Sequence, residues 1–457
     1  MDDRRRPNIL FIMTDQHSAH MMSCAGNATL KTPALDGLAA SGVRFARTYA
    51  TNPVCVPSRF SLQTGRMPSS IGMKWNEDLP VPEEFIEGSL GALFSAAGYD
   101  TVYGGKVHMP GALKEVERYG WRRLTDDARG GLAEACAEFL RGDRAKPFFL
   151  FASFVNPHDI CYLAINDAMR AAGREPIGNL DSRTCEAVAD EARRLAETPE
   201  GEGQLAPLPA NHETSQSEPE AIVTKYLPDS HQGAKYRLHA REKWGDTEWR
   251  VFRHTYRRLT ETVDAEIGQV LEALRESGLE KETLVVFTSD HGDMDGAHRL
   301  QHKSVPYEEC SRVPFIMSWK GVTPEGVVDD EHLISNGLDL LPTLCDAAGV
   351  EPPPGLPGLS VMPLARGESG TPWREFVAVE SRHGRMLRTD RYKYSVYESG
   401  KGREQLIDLK TDPGEMTNLA DSDEHGEVLA RHRRLMAEWV GSAGDAIGAE
   451  YVIREDA

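Results

Sequence analysis

The 457-residue chain is poor in patterned cysteine. Cys24, Cys55, Cys136, Cys161, Cys185, Cys310 and Cys345 are odd in number, scattered, and never spaced C-x-x-C. That disfavours a zinc site and fits a reducing compartment. No run of about 20 apolar residues exists, so no segment reads as a membrane span. A secretory leader is missing too: Met1-Asp2-Asp3-Arg4-Arg5-Arg6-Pro7 precedes only a short apolar stretch, Ile9 to Met13, with no small-residue cleavage site. A cytoplasmic location is therefore expected, the alternative being a leader already removed. Positive charge is in deficit. The 52 Lys and Arg against 71 Asp and Glu leave a net charge of −19, which argues against nucleic acid or an anionic membrane surface as partner. An anionic substrate would need a local cationic pocket. Low-complexity tracts and repeat periods are absent, and the composition is that of an ordinary globular protein.

Strands alternating with helices are what the chain does contain, over a length that predicts more than one domain. Residues 8–14 form a continuous apolar run ending at Asp15, the pattern of a buried strand. Similar runs at 101–103, 147–154 and 283–288 end at Gly104-Gly105-Lys106, Asn156-Pro157-His158 and Ser289-Asp290-His291. Helices are expected over 32–41, 248–277 and 338–348. The pattern predicts an α/β sandwich around a mostly parallel sheet, with the polar motifs just past the strand ends, where such sheets bind ligands. The catalytic domain is expected over 1–366, with an insertion at about 160–245. Within it, residues 175–228 show little apolar periodicity and read as a flexible loop or a lid. Residues 367–457, with hairpin strands at 385–389 and 392–397 and a helix near 427–440, read as a smaller C-terminal α+β subdomain.

The most pointed motif is Cys55-Val56-Pro57-Ser58-Arg59, followed by Thr64-Gly65-Arg66. Pro57 suits a first helical turn. The helix start would turn free N–H groups toward an anion at Cys55, and Arg59, one turn on, adds a cation on the same face. A nucleophile there suits attack on a phosphoryl or sulfuryl centre. Asp15-Gln16 and Asp290-His291, at separate strand ends, offer oxygen-dominated donors that favour Ca²⁺, Mg²⁺ or Mn²⁺ over zinc. Lys106 can bind an anionic oxygen, and His108 can move a proton near neutral pH.

These motifs together resemble the type I sulfatases of the alkaline-phosphatase-like superfamily, over about residues 8–420. The resemblance implies that Cys55 is oxidised to formylglycine (3-oxoalanine) by a formylglycine-generating enzyme, and that its hydrate is the nucleophile. It places one divalent cation, Ca²⁺, on Asp15, Gln16, residue 55, Asp290 and His291. By the same resemblance Arg59, with the metal, holds the formylglycine hydrate, Lys106 contacts the formylglycine and the sulfate, and His158 contacts the sulfate. Lys303 eases departure of the alcohol with His298 or His302, and His108 helps break down the covalent intermediate. Glu308, Glu309 and Arg312 read as a structural ion-pair cluster. Many family members carry Asp-Asp and Asp-Asn where this chain has Asp15-Gln16 and Asp290-His291. That departure is similar to choline sulfatases, phosphonate monoester hydrolases and some carbohydrate sulfatases. The expected substrate is a small-molecule or oligosaccharide sulfate ester, or a sulfamate, with a sulfated carbohydrate favoured by Trp75-Asn76 near the nucleophile helix. A phosphonate monoester or phosphodiester hydrolase and an inactive glycan-binding homologue are the alternatives; the oligomeric state stays open.

Overall fold

A computed structural model describes residues 6–453; residues 1–5 and 454–457 lie outside it. Its centre is strand β1 (Asn8–Asp15), buried along its whole length. Successive side chains point to opposite faces, so Ile9, Phe11 and Met13 enter one apolar core while Leu10 and Ile12 enter another. Both faces are covered, which is why the run is continuous rather than alternating.

Seven more strands join it: β2 (Val43–Phe45), β4 (Asp100–Gly105), β5 (Arg122–Thr125), β6 (Phe148–Pro157), β7 (Thr283–Ser289), β8 (Phe315–Ser318) and β9 (Val327–Asp329). Their order is β5-β4-β6-β1-β7-β8-β2-β9, and two short strands, β3 (Thr48–Tyr49) and β10 (Ile334–Ser335), pair separately. Only β8 runs against its neighbours. The four adjacent strands β4, β6, β1 and β7 are parallel, so Lys106, His158, Gln16 and Asp290 all leave the same edge of the sheet. Gly105 makes this close approach possible: at φ 87° a side chain there would meet the Ser153 carbonyl oxygen at 2.2 Å.

The helix Asp246–Glu276 covers one face through Val263, Ile267, Val270 and Leu274. The helices Cys55–Thr64 and Asn336–Ala348 cover the other. Residues 175–228 are not a structureless loop. They carry the helix Leu180–Leu195, capped by the Asn179 side chain on the Ser182 amide at 2.8 Å. Cys185, Ala189 and Ala192 pack with Trp249 and Phe252 of the long helix. Their i, i+4, i+7 spacing is helical, but the small side chains give a weak apolar signal.

Strands β11 (Val377–Ser381), β12 (Gly384–Arg388), β13 (Tyr392–Tyr397) and β14 (Glu404–Asp408) form the antiparallel sheet of the C-terminal subdomain, packed against the helix Gly426–Ala443. Lys393 fastens this sheet to the rest of the chain. It is buried 2.7 Å from Glu415 and 3.5 Å from Glu308, which also accepts from Tyr49 at 2.9 Å. Glu308 and Arg312 thus sit in an ion-pair cluster, and truncating one member of such a buried set costs about 3–5 kcal/mol.

Candidate active site

Val54 is extended, and Cys55 opens the helix Cys55–Thr64, which Gly65 ends at φ 67°. The Cys55 thiol is buried, with Sγ 3.1 Å from Lys303 Nζ, 3.2 Å from His291 Nε2 and 3.8 Å from Asp15 Oδ1. Burial and the Asp15 carboxylate push the thiol up, but Lys303, Lys106 and His291 outweigh them and hold it well below its ordinary range. Residue 55 therefore sits where an anion is favoured.

Arg59 does not face the nucleophile as a free cation. Its Nη2 bonds Asp15 at 2.9 Å and its Nε bonds Asp290 at 2.8 Å. Its Nη1 donates to Ser153 Oγ and to the Lys106 carbonyl, both at 2.9 Å. The helix places it on the expected side, but its planar fork is used up holding two buried carboxylates in register. Lys106 completes the clamp, with Nζ 2.6 Å from Asp15. Burial would raise the Asp15 carboxyl, yet Lys106, His158, Arg59 and Lys303 hold it well below the usual carboxylate range. Asp290 is instead raised, by burial and by the neighbouring Asp15 charge.

Asp15, Cys55, Asp290 and His291 each present a ligand atom, all buried and within 4.8 Å of one another. The His291 Nδ1 lies 2.9 Å from the Gly292 carbonyl oxygen. In the neutral ring Nδ1–H donates to that carbonyl, and the Nε2 lone pair faces Cys55. Two carboxylates and an imidazole suit a divalent cation, which would relieve the repulsion between Asp15 and Asp290. The residues present thus fit a cation here. Gln16, in the left-handed region at φ 64°, turns its amide oxygen to Lys303 Nζ at 2.9 Å and to the Cys161 thiol at 3.1 Å. Its amide nitrogen donates to Asp293 at 2.6 Å.

Lys303 is buried and raised by Cys55 and other anions against the opposing effect of burial. His158 Nε2 stands 4.0 Å from Asp15; desolvation and the Lys106 and Lys303 cations push it down to about 3, so the ring is neutral at pH 7. His108 is exposed at φ 44°, and its ring has no hydrogen bond or ion pair among the described residues. Of the two later histidines, His298 stacks on Tyr307 at 4.2 Å, beside the Glu309 and Lys393 charges. His302 lies at the site: burial lowers it furthest, and the charges of Arg237, Lys303 and His158 lower it further. Three supporting residues escaped sequence reasoning. Ser153 anchors Arg59, Asp293 fixes Gln16, and Cys161 donates to the same Gln16 oxygen. Asp293 had a signal in its place in Asp290-His291-Gly292-Asp293, and Cys161 in its place just past the strand end that carries His158.

Comparison with known proteins agrees with this geometry. The sulfatase family model matches residues 7–350, and that of the N-sulphoglucosamine sulphohydrolase C-terminal region matches 296–440. A Delta 4,5-hexuronate-2-O-sulfatase of Bacteroides thetaiotaomicron is 30% identical over 97% of this chain and 90% of its own length. The structure of a 2-O GAG sulfatase superposes with a TM-score of 0.81 at 29% identity, covering 97% of this chain and 94% of that one. The phosphonate monoester hydrolase of Agrobacterium radiobacter shares the fold, with a TM-score of 0.73 at 21% identity over 96% of each chain. With a family model spanning most of its length and a relative 30% identical over nearly the whole chain, the chain belongs to the sulfatase family and is a sulfuric ester hydrolase.

Proposed function

We propose that this protein removes a sulfate ester from a sulfated carbohydrate, at the 2-O position of a hexuronate. It would use a formylglycine made from Cys55 and one divalent cation, Ca²⁺, held by Asp15, Gln16, residue 55, Asp290 and His291. The observation that carries the reading is the charge balance of the pocket. Asp15, Asp290 and a Cys55 thiolate stand against Arg59, Lys106 and Lys303. Conversion of the thiol to an aldehyde removes one negative charge, and a divalent cation adds two positive ones. Both tip the pocket toward holding a sulfate anion, inside a protein whose net charge is −19. The hexuronate is supported by the named activity of the Bacteroides relative.

When bound, the cation supplies Lewis-acid polarisation and the formylglycine hydrate supplies the attacking oxygen. The chain's own side chains do the rest. Arg59 holds Asp15 and Asp290 in register. Lys106 and His158 bind sulfate oxygens, the neutral imidazole as a hydrogen-bond donor. Lys303, beside Cys55, neutralises charge on the departing alcohol oxygen. His108, open at the mouth and without a competing partner, takes the proton whose loss releases sulfate.

The test pairs chemistry with mass. Protein from a host able to make formylglycine should release sulfate from an unsaturated 2-O-sulfated hexuronate disaccharide. The peptide containing residue 55 should carry an aldehyde in place of the thiol. Cys55→Ala should lose at least about a thousandfold in kcat. Full activity of Cys55→Ala would end the mechanism, and faster turnover of an aryl phosphonate than of any sulfate ester would move the protein to phosphonate monoester hydrolysis.

A further inference from the structure

Three distant segments meet at one side of the pocket. Trp75 lies next to Asn76, whose exposed side chain accepts from the Val56 amide at 3.0 Å, directly after the nucleophile. Arg382, at the tip of the β11–β12 hairpin, stacks its guanidinium over the Trp75 ring at 5.1 Å. Asp229, in the insertion, lies 3.3 Å from Arg382 and 3.6 Å from Arg237. The neighbour of Arg237, Tyr236, packs its ring on His302 at 4.6 Å, and His302 precedes Lys303. This chain of contacts therefore starts beside Cys55, at Val56, and ends beside Lys303, at His302.

Its charges do not close. Two arginines share one carboxylate, at distances longer than the 2.8 and 2.9 Å of the Arg59 pairs. The Arg237 side chain is 3% exposed and its Nε has no hydrogen-bond partner among the described residues. Arg382, by contrast, is 39% exposed and makes its one side-chain hydrogen bond to Asp229. A planar cation stacked on an indole keeps its edge donors free for a planar anion.

We propose that Arg382 is a specificity-determining residue that binds the carboxylate of the substrate's sugar ring, with Trp75 holding its guanidinium in plane and Asp229 keeping the place of that carboxylate in the free enzyme. This rests on the sulfated-carbohydrate reading of the site and deepens it. The substrate class it selects is a sulfated uronate over a sulfated neutral or amino sugar.

The experiment compares three substrates: the unsaturated 2-O-sulfated hexuronate disaccharide, the same compound with its carboxyl group reduced to the alcohol, and an aryl sulfate. Wild-type enzyme should prefer the carboxylate form by about tenfold or more in kcat/KM, as one charged hydrogen bond warrants. Arg382→Ala should erase that preference through KM while leaving the reduced compound and the aryl sulfate unchanged, and Arg382→Lys should restore part of it. The aryl sulfate, which has no carboxylate, reports whether each variant is folded. Equal losses on all three substrates, or an unchanged preference in Arg382→Ala, would overturn the role of Arg382 and leave the sulfatase reading standing. Wild-type turnover of the aryl sulfate alone would remove the carbohydrate reading and this proposal with it.

Discussion

The floor of the pocket and its rim are built by different rules. Floor residues come from the ends of four neighbouring parallel strands, from the helix Cys55–Thr64 and from Lys303, are buried or nearly so, and are tied by hydrogen bonds and ion pairs as short as 2.6–3.1 Å. Rim residues come from positions 75, 229 and 382, are partly open to solvent, and meet at 3.3 Å or more. Sheet geometry alone makes the floor rigid, which suits chemistry on a sulfate group common to every substrate. The rim depends on three loops agreeing with one another, so it can change without disturbing the reaction. Substitutions in the floor should accordingly lower kcat on all substrates, and substitutions in the rim should alter KM on some.

The largest effect should come from Asp290→Ala. It removes a ligand atom and one of the two carboxylates that Arg59 bridges, so bound divalent cation measured by elemental analysis and kcat should fall together, by about a hundredfold or more. Retention of stoichiometric Ca²⁺ would break the assignment of the cluster. Ser153→Ala should cost less, about tenfold in kcat on sugar and aryl substrates alike. The Arg59 Nη1 keeps its bond to the Lys106 carbonyl but loses the hydroxyl; a drop confined to the sugar would show that floor and rim are not separate. Trp75→Ala should raise KM for a sulfated uronate by about two- to fivefold, the scale of one partly exposed cation–π contact, and spare the aryl sulfate.

The smallest effect lies outside both regions, at His254 on the helix Asp246–Glu276. Burial and the Arg258 and Arg257 charges push it from 6.5 down to about 4. Below pH 6.5 the unfolded chain therefore takes up a proton that the folded protein refuses until about pH 4. Its contribution to stability is level above pH 6.5 and declines as the pH falls toward 4. His254→Asn should flatten the pH dependence of Tm across that window while leaving kcat at neutral pH unchanged.

Much of the floor was legible because it is local. Each of Asp15, Lys106, His158 and Asp290 follows an apolar run whose burial on both faces fixes where the strand ends. What the sequence did not carry was who pairs with whom. Arg59 could be placed on the side of Cys55, but its use as a bridge between two carboxylates depends on β1 and β7 being neighbours, which no spacing records. The helix Leu180–Leu195 was missed because its inward face is Cys185, Ala189 and Ala192, too small to register as apolar periodicity. Trp75 drew attention as an aromatic near the nucleophile. Arg382 did not, since a surface arginine in a hairpin turn has no local mark until the indole under it is known.

The burial of Cys55 sets a clock. In the folded protein its sulfur is buried against Lys303, 248 residues further along the chain, so it is most open to a modifying enzyme before the fold closes. At about 5–20 residues per second of synthesis, those 248 residues take on the order of 10–50 s to emerge. Under the proposed mechanism, oxidation of Cys55 competes in time with translation and closure of the sheet, and the fraction of active molecules is decided by which finishes first. Slowing synthesis or delaying folding should raise that fraction without any change in sequence.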